Sequence, residues 1–256
     1  MPDIAILYED ADCVVVNKPA GLMVHPDGRS EGPFLTDWIA ARFPETVGIG
    51  EPGNGPDGEP LARGGIVHRL DKETSGALIV ARTTDGFAAL KKQFQGREVA
   101  KKYLAFVWGE MKENFGTIDR PIGRSSTDFR KRSAQRGARG ELREAETYWT
   151  RIWTGQLEAA GLKGVSVEKF SLVEAEPKTG RTHQIRAHLN AVNHPIVGDT
   201  LYAPKRPMAL GFERLALHSR EISFDALGGG RVRVVAPLPA DFAAACVAVG
   251  ADILDS

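Results

Sequence analysis

Nineteen residues, Gly64 to Arg82, constrain this chain more than any other stretch: GGIVHRLDKETSGALIVAR. The first part gathers charge and turn chemistry. Asp71 follows His68 and Arg69 and precedes Lys72, Glu73, Thr74, Ser75 and Gly76. The second part, Ala77-Leu78-Ile79-Val80-Ala81, is a continuous apolar run. Such a run reads as a buried strand, although periodicity alone does not exclude a buried helix. A carboxylate and two cationic groups therefore sit on a turn that feeds a rigid element, which is where catalytic groups tend to be placed.

The surrounding chain supplies a scaffold for that turn. Ile4 to Leu7 and Cys13 to Val16 are apolar runs flanking Tyr8-Glu9-Asp10-Ala11-Asp12, a hairpin pattern. Lys18-Pro19-Ala20-Gly21 has the residues of a tight turn. Phe34 to Phe43 has helical spacing and stops at Pro44. Residues Gly48 to Gly65 hold ten Gly or Pro in eighteen. That is a long loop, expected beside the substrate entrance or as a plain surface insertion. Thr84 is expected to cap a helix reaching Gln95, with Phe87, Leu90 and Phe94 as its buried stripe. Lys101 to Trp108 alternates with both faces apolar, the pattern of a central strand. Glu144 to Trp153 and Val165 to Ala175 read as strands joined through Thr154 to Gly164. After Thr179-Gly180-Arg181-Thr182-His183-Gln184, a helix places Ile185, Leu189 and Val192 on one face and Arg186 on another. Leu217 to Phe224 and Arg231 to Val235 form a hairpin through Gly228 to Gly230, and a helix from about Ala240 to Val249 follows. Strands outnumber helices and succeed one another in hairpins. The expected class is α+β, with a large mixed, mainly antiparallel sheet and flanking helices.

Composition excludes several classes. At 256 residues the chain can bury roughly 70–75% of its unfolded surface without disulfides or metals. Cys13 and Cys246 lie far apart in apolar contexts, which fits reduced thiols in a cytoplasmic protein. The opening MPDIAILYED carries acid where a signal peptide has a basic region, so no signal peptide is expected, and no apolar run approaches the roughly 18 residues of a membrane span. Formal net charge is zero, yet this hides an asymmetry. Between Arg124 and Arg143 seven cations (Arg124, Arg130, Lys131, Arg132, Arg136, Arg139, Arg143) face only Asp128 and Glu141. The expected form is a flexible basic loop, which either contacts nucleic-acid phosphates or is simply solvated.

The central motif HRLDKETSG resembles that of the RluA-type pseudouridine synthases. Three further stretches fit the same family in the same order: VVVNKPAGLMVHP, AKKYLAFVWG and TGRTHQIRAHLNAVNHPIVGDTLY. The resemblance implies one catalytic domain over residues 1–256 with a curved sheet in two halves. Some members of that family carry a small S4-like RNA-binding domain before the catalytic one; because the chain starts straight into its first hairpin, none is expected here. It assigns Asp71 as the catalytic carboxylate and Tyr103 as the residue that stacks on uracil and serves the proton step at C5. Arg186 would pair with Asp71 and orient it. Arg69 would help to open the RNA and fill the gap left by a flipped base, and His68, Arg181, His183 and Gln184 would contact the substrate. The implied partner is RNA carrying an unpaired or loop uridine, since flipping costs least there.

An ionised, oriented carboxylate can attack an electrophilic carbon and leave again, or accept a proton. Pseudouridine formation needs the C1′–N1 bond broken, the base rotated, and C5 bonded to C1′ with loss of its proton. No metal or cofactor is called for. His183 and His188 are spaced i, i+5 and lack further ligands, so metal binding is not expected. Read without the resemblance, His68 is expected to hold its loop by a hydrogen bond. Without the resemblance, Asp71 and Arg186 would be ion-pair candidates and Tyr103 a core residue. Two other readings remain: a non-catalytic RNA-binding assembly factor, and a glycosidic hydrolase, for which a second paired carboxylate is not recognisable. The motif wording favours ribosomal RNA as substrate, with tRNA or dual specificity as the alternative. A monomer is expected.

Overall fold

The computed structural model describes residues 3–26, 30–51, 53–54, 60–61, 64–161 and 164–251. In chain order the elements are β1 (Ile6–Glu9), β2 (Cys13–Lys18), α1 (Leu35–Arg42), β3 (Gly53–Asn54), β4 (Pro60–Leu61), β5 (Ser75–Ala81), α2 (Thr84–Gln95), β6 (Ala100–Trp108), β7 (Phe115–Asp119), β8 (Ile122–Arg124), β9 (Arg132–Ser133), β10 (Arg139–Arg143), β11 (Glu146–Gly161), β12 (Gly164–Pro177), α3 (Gln184–Ala191), β13 (Leu217–Asp225), β14 (Arg231–Val235) and α4 (Ala240–Val249). They form two compact units. The first comprises Met1–Ala100 and Ser219–Pro237, the second Lys101–His218 and Leu238–Ser256. The α+β class expected from the sequence is observed.

In the first unit the strand order is β1-β2-β5-β13-β14. β2 pairs β5 antiparallel from Cys13 opposite Ala81 to Lys18 opposite Gly76. All seven residues of β5 are buried, which is why its apolar run is unbroken instead of alternating. This also decides between strand and helix. Gly76 has φ +112°, and a Cβ there would lie 2.1 Å from the Ser219 carbonyl oxygen. Only glycine lets the β13 backbone approach so closely. α2 lays Leu90, Phe87 and Phe94 on a core of Val15, Ile79, Ile222 and Phe224. Its N-cap is Thr83, not Thr84. The Thr83 hydroxyl accepts from the Gly86 N–H at 3.0 Å and donates to Asp12 at 2.7 Å. Much of the Gly/Pro-rich stretch expected near a substrate entrance, namely residues 52, 55–59 and 62–63, lies outside the described residues.

In the second unit the order is β6-β12-β11-β7, all antiparallel. β6 is central, as its pattern predicts. One edge pairs with β12, and on the other Trp108 N–H donates to Pro195 O (2.9 Å) and Val197 N–H to Phe106 O (2.8 Å). Residues Thr154 to Gly161, expected as part of a connection, instead continue the ladder. β11 and β12 are 16 and 14 residues long and pair from Thr147–Pro177 to Gly161–Gly164. The weak alternation of TGQLEAAG hides this extension.

The basic stretch also departs from expectation. It is not an open loop but carries a small three-stranded antiparallel sheet, ordered β10-β8-β9. Its few apolar residues do the anchoring: Ile122, Ala134 and Ala145 cluster with Ala187 and Ala191 of α3 and with Tyr202. Strands of two to five residues with so little apolar content give almost no periodic signal.

Candidate active site

In the first unit the segment ahead of Asp71 runs along one edge of β5. Ala81 N–H donates to Gly65 O at 2.9 Å, and Ile79 N–H donates to His68 Nε2 at 3.1 Å. His68 thus substitutes for a strand partner, and its ring stacks on Phe94 at 4.8 Å between centroids. The loop-holding hydrogen bond expected for His68 is present. The chain then turns: Thr74 N–H donates to Asp71 O at 3.1 Å, and β5 begins. Asp71 is half-buried on this turn, Arg69 is exposed, and Thr74 and Ser75 are buried.

A residue that the sequence marks only as part of a tight turn fixes the Asp71 turn from below. The Lys18 side chain is fully buried. Its ammonium donates to the carbonyls of Pro19 (2.8 Å), Leu22 (2.7 Å) and Lys72 (3.1 Å). Gly21 N–H adds a bond to Lys72 O at 2.9 Å. The Lys18-Pro19-Ala20-Gly21 turn is therefore tied to the residue next to Asp71. Lys18→Met would leave the Pro19 and Leu22 carbonyls without this donor, at about 1–3 kcal/mol each. We expect a loss of about 2–6 kcal/mol on those terms, read as a lower urea midpoint at unchanged slope.

In the second unit the candidate residues gather at the start of α3. His183 occupies the N-cap position with φ +54°, a left-handed conformation that a non-glycine residue rarely takes and that often marks a functional site. Its Nδ1 lies 3.3 Å from the Tyr202 hydroxyl. Gln184 is a fastening. Its amide NH₂ donates to Glu146 O (2.9 Å) and Thr147 Oγ1 (3.1 Å), and its carbonyl oxygen accepts from Thr179 Oγ1 (2.7 Å) and Arg181 N–H (2.9 Å). Arg181 reaches back from Nε to Glu144 O at 3.0 Å. Tyr103 is 8% exposed on β6, opposite Ala175. Two residues before it, Lys101 shares its side of the strand, and desolvation, aided by the Lys178 charge, brings the ammonium down to about 8.

Arg186 leaves α3 and forms a bidentate pair with Asp199: Nε to Oδ2 and Nη2 to Oδ1, both 2.8 Å. Side-chain exposures are 11% for Arg186 and 0% for Asp199. Asp199 Oδ1 also accepts the backbone N–H groups of Leu201 (3.2 Å) and Tyr202 (3.0 Å). The Arg186 guanidinium lies 5.1 Å from the Tyr202 ring centroid. Sequence reasoning missed Asp199, although it stands inside the matched HPIVGDTLY stretch.

His188, on the same helix, is fully buried and structural. Its Nε2 donates to Arg120 O at 2.9 Å, and its Nδ1, also at 2.9 Å, accepts from the Thr147 hydroxyl, which already accepts from Gln184. That network fits the neutral ring. Burial lowers the His188 pKa below its ordinary value. The unfolded chain takes up a proton near pH 6.5 while the native ring resists it, so stability falls as pH drops below about 6.5. A thermal scan at pH 7.5 and pH 5.5 should show this loss, and His188→Gln should shrink it.

Among the described residues no group of three or more His, Cys, Asp or Glu is placed to hold a metal ion, and no helix is long and apolar enough to cross a membrane.

Set against known proteins, residues 12–191 match the family model described as RNA pseudouridylate synthase. A Synechocystis protein named as an uncharacterized RNA pseudouridine synthase is 36% identical over 238 residues, covering 93% of this chain and 66% of that protein. A ribosomal large subunit pseudouridine synthase D of Xanthomonas campestris pv. campestris is 35% identical, covering 92% of this chain and 66% of that protein. The chain thus spans about two thirds of the length of these relatives. The solved structure of human RNA Pseudouridylate Synthase Domain Containing 1 superposes with a TM-score of 0.69 at 30% identity, covering 93% of this chain and 84% of that one. The chain belongs to the RNA pseudouridylate synthase family.

Proposed function

We propose that this protein isomerises uridine to pseudouridine in structured RNA, and that its substrate is ribosomal RNA. One observation carries the reading: Asp71 is a half-buried carboxylate on a turn locked by Lys18 and by His68, within the region that matches the family. In the reaction, Asp71 is the catalytic carboxylate and Arg186 steadies the charge that develops. Tyr103 stacks on the uracil and serves the proton lost from C5. Arg69, exposed two residues before Asp71, enters the space vacated by the flipped base. His68, Arg181, His183 and Gln184 shape the surface that meets the RNA. The relative from Xanthomonas supports the large ribosomal subunit as the target class. Both units together serve as the catalytic domain. Buried, unpaired Cys13 and Cys246 support a reducing, cytoplasmic setting, and we take the working form to be a monomer.

Mapping pseudouridines in ribosomal and transfer RNA from cells lacking the gene tests this. Loss of at least one ribosomal RNA site, restored by the wild-type gene and not by Asp71→Asn, is the expected result. Retention of every site would contradict it.

A further inference from the structure

The small sheet of the second unit has a charge arrangement that the fold does not explain. In its ladders Arg124 stands opposite Arg139 on one side and opposite Arg132 on the other. Three arginines thus form one cross-strand row, with neighbouring strands roughly 4.8 Å apart. Like charges directly opposite one another destabilise a sheet. Interleaved carboxylates would relieve this, but the two within the stretch are committed elsewhere. Asp128 accepts from Arg130 Nε (3.1 Å) and Nη2 (2.8 Å), and Glu141 accepts from Arg143 Nε (3.1 Å) and Nη2 (2.9 Å). Among the described residues none of the three row arginines has an acidic partner. Beside the row, between β8 and β9, Phe129 sits on the turn closed by Lys131 N–H to Asp128 O and is 78% exposed. An exposed ring among cations is the composition of a single-strand nucleic-acid platform, in which bases stack and phosphates are neutralised.

The platform is fastened to catalytic machinery in its own unit. Arg132 N–H donates to the Tyr202 hydroxyl at 2.9 Å, and Tyr202 lies under the Arg186 guanidinium. Ala134, directly after strand β9, packs in one cluster with Ala187 and Ala191 of helix α3.

We propose that this sheet grips the single-stranded RNA flanking the target uridine, with Arg139, Arg124 and Arg132 on successive phosphates and Phe129 stacked on an unpaired base. The proposal rests on the RNA-modifying reading above. The unbalanced row is tolerated because its counter-charge arrives with the substrate.

Fluorescence anisotropy with a labelled 12-nucleotide oligouridine, over a series of KCl concentrations, tests it without requiring turnover. For single strands each neutralised phosphate contributes a salt slope of about 0.7. The triple variant Arg124→Gln/Arg132→Gln/Arg139→Gln should lose about two units of slope on that constant. Its Tm should equal or exceed that of wild type, because repulsion is relieved. Phe129→Ala should weaken binding about tenfold at an unchanged slope, with Phe129→Trp restoring it. Wild-type slope and affinity in both variants, no binding of oligouridine by wild type, or equal binding of a 12-base-pair RNA duplex regardless of Phe129 would each overturn the proposal. The outcome is separable from catalysis. A protein that turns over RNA while both variants bind normally sinks only the platform, whereas one that grips RNA as described but isomerises none sinks only the enzyme.

Discussion

Asp71→Asn is expected to stop isomerisation and leave the protein folded. The turn that carries Asp71 is held by main-chain groups: its own carbonyl accepts Thr74 N–H, and the Lys72 carbonyl accepts from Gly21 and Lys18. The asparagine side chain keeps the size and removes only the charge and the nucleophilic oxygen. Loss of a group that attacks or takes a proton in the transition state should lower single-turnover rates by at least about 10³-fold, or about 4 kcal/mol in the barrier at 1.36 kcal/mol per decade. Urea midpoints of variant and wild type should agree. A midpoint that collapses with the rate would make Asp71 a structural residue.

The second large effect is expected at Asp199, which touches Arg186 and acts through it. Its carboxylate is completely enclosed, takes both prongs of the guanidinium and caps two backbone N–H groups. Removing one partner of a buried pair leaves the other charge uncompensated, at about 3–5 kcal/mol. Asp199→Ala should therefore lower Tm by roughly 10 °C for a chain of this size. Asp199→Asn keeps an acceptor for Leu201 and Tyr202 but not the charge, so its stability loss should be smaller. Both variants should lower kcat, because Arg186 is then free to leave its working orientation. A positioning role makes a further claim. Arg186→Gln combined with Asp199→Asn should cost less activity than the two single losses multiplied, since the residues act as one unit. Full additivity would show that Asp199 only stabilises the fold.

What the sequence disclosed and what it hid follow a physical division. β5, β6 and α2 were legible because burial on both faces or on one stripe writes itself into local hydrophobicity. Asp71, His68 and Arg69 were legible because charge and turn chemistry are concentrated within a few residues. Lys18 was not, because its three partners are main-chain carbonyls, one of them 54 positions away. Asp199 was passed over for a related reason. The resemblance directs attention from Arg186 to Asp71, whereas the bond that fixes Arg186 within its own unit comes from a carboxylate 13 residues later. The β8–β10 sheet read as a loop since its strands are short and polar. The same polarity, once paired into a row, is what makes it a candidate grip. Two adjacent threonines misplaced the α2 cap by one residue, since both can serve and only the bond from Gly86 chooses Thr83.

The central claim is that the C1′–N1 bond of a uridine is broken and the same base is rejoined through C5. RNA labelled with tritium at uridine C5, transcribed from the large-subunit ribosomal RNA gene, tests it directly. Purified wild-type protein should release tritium to water while free uracil stays at background, and Asp71→Asn should release none. Free uracil appearing with the tritium, or no release from this RNA, would contradict the account.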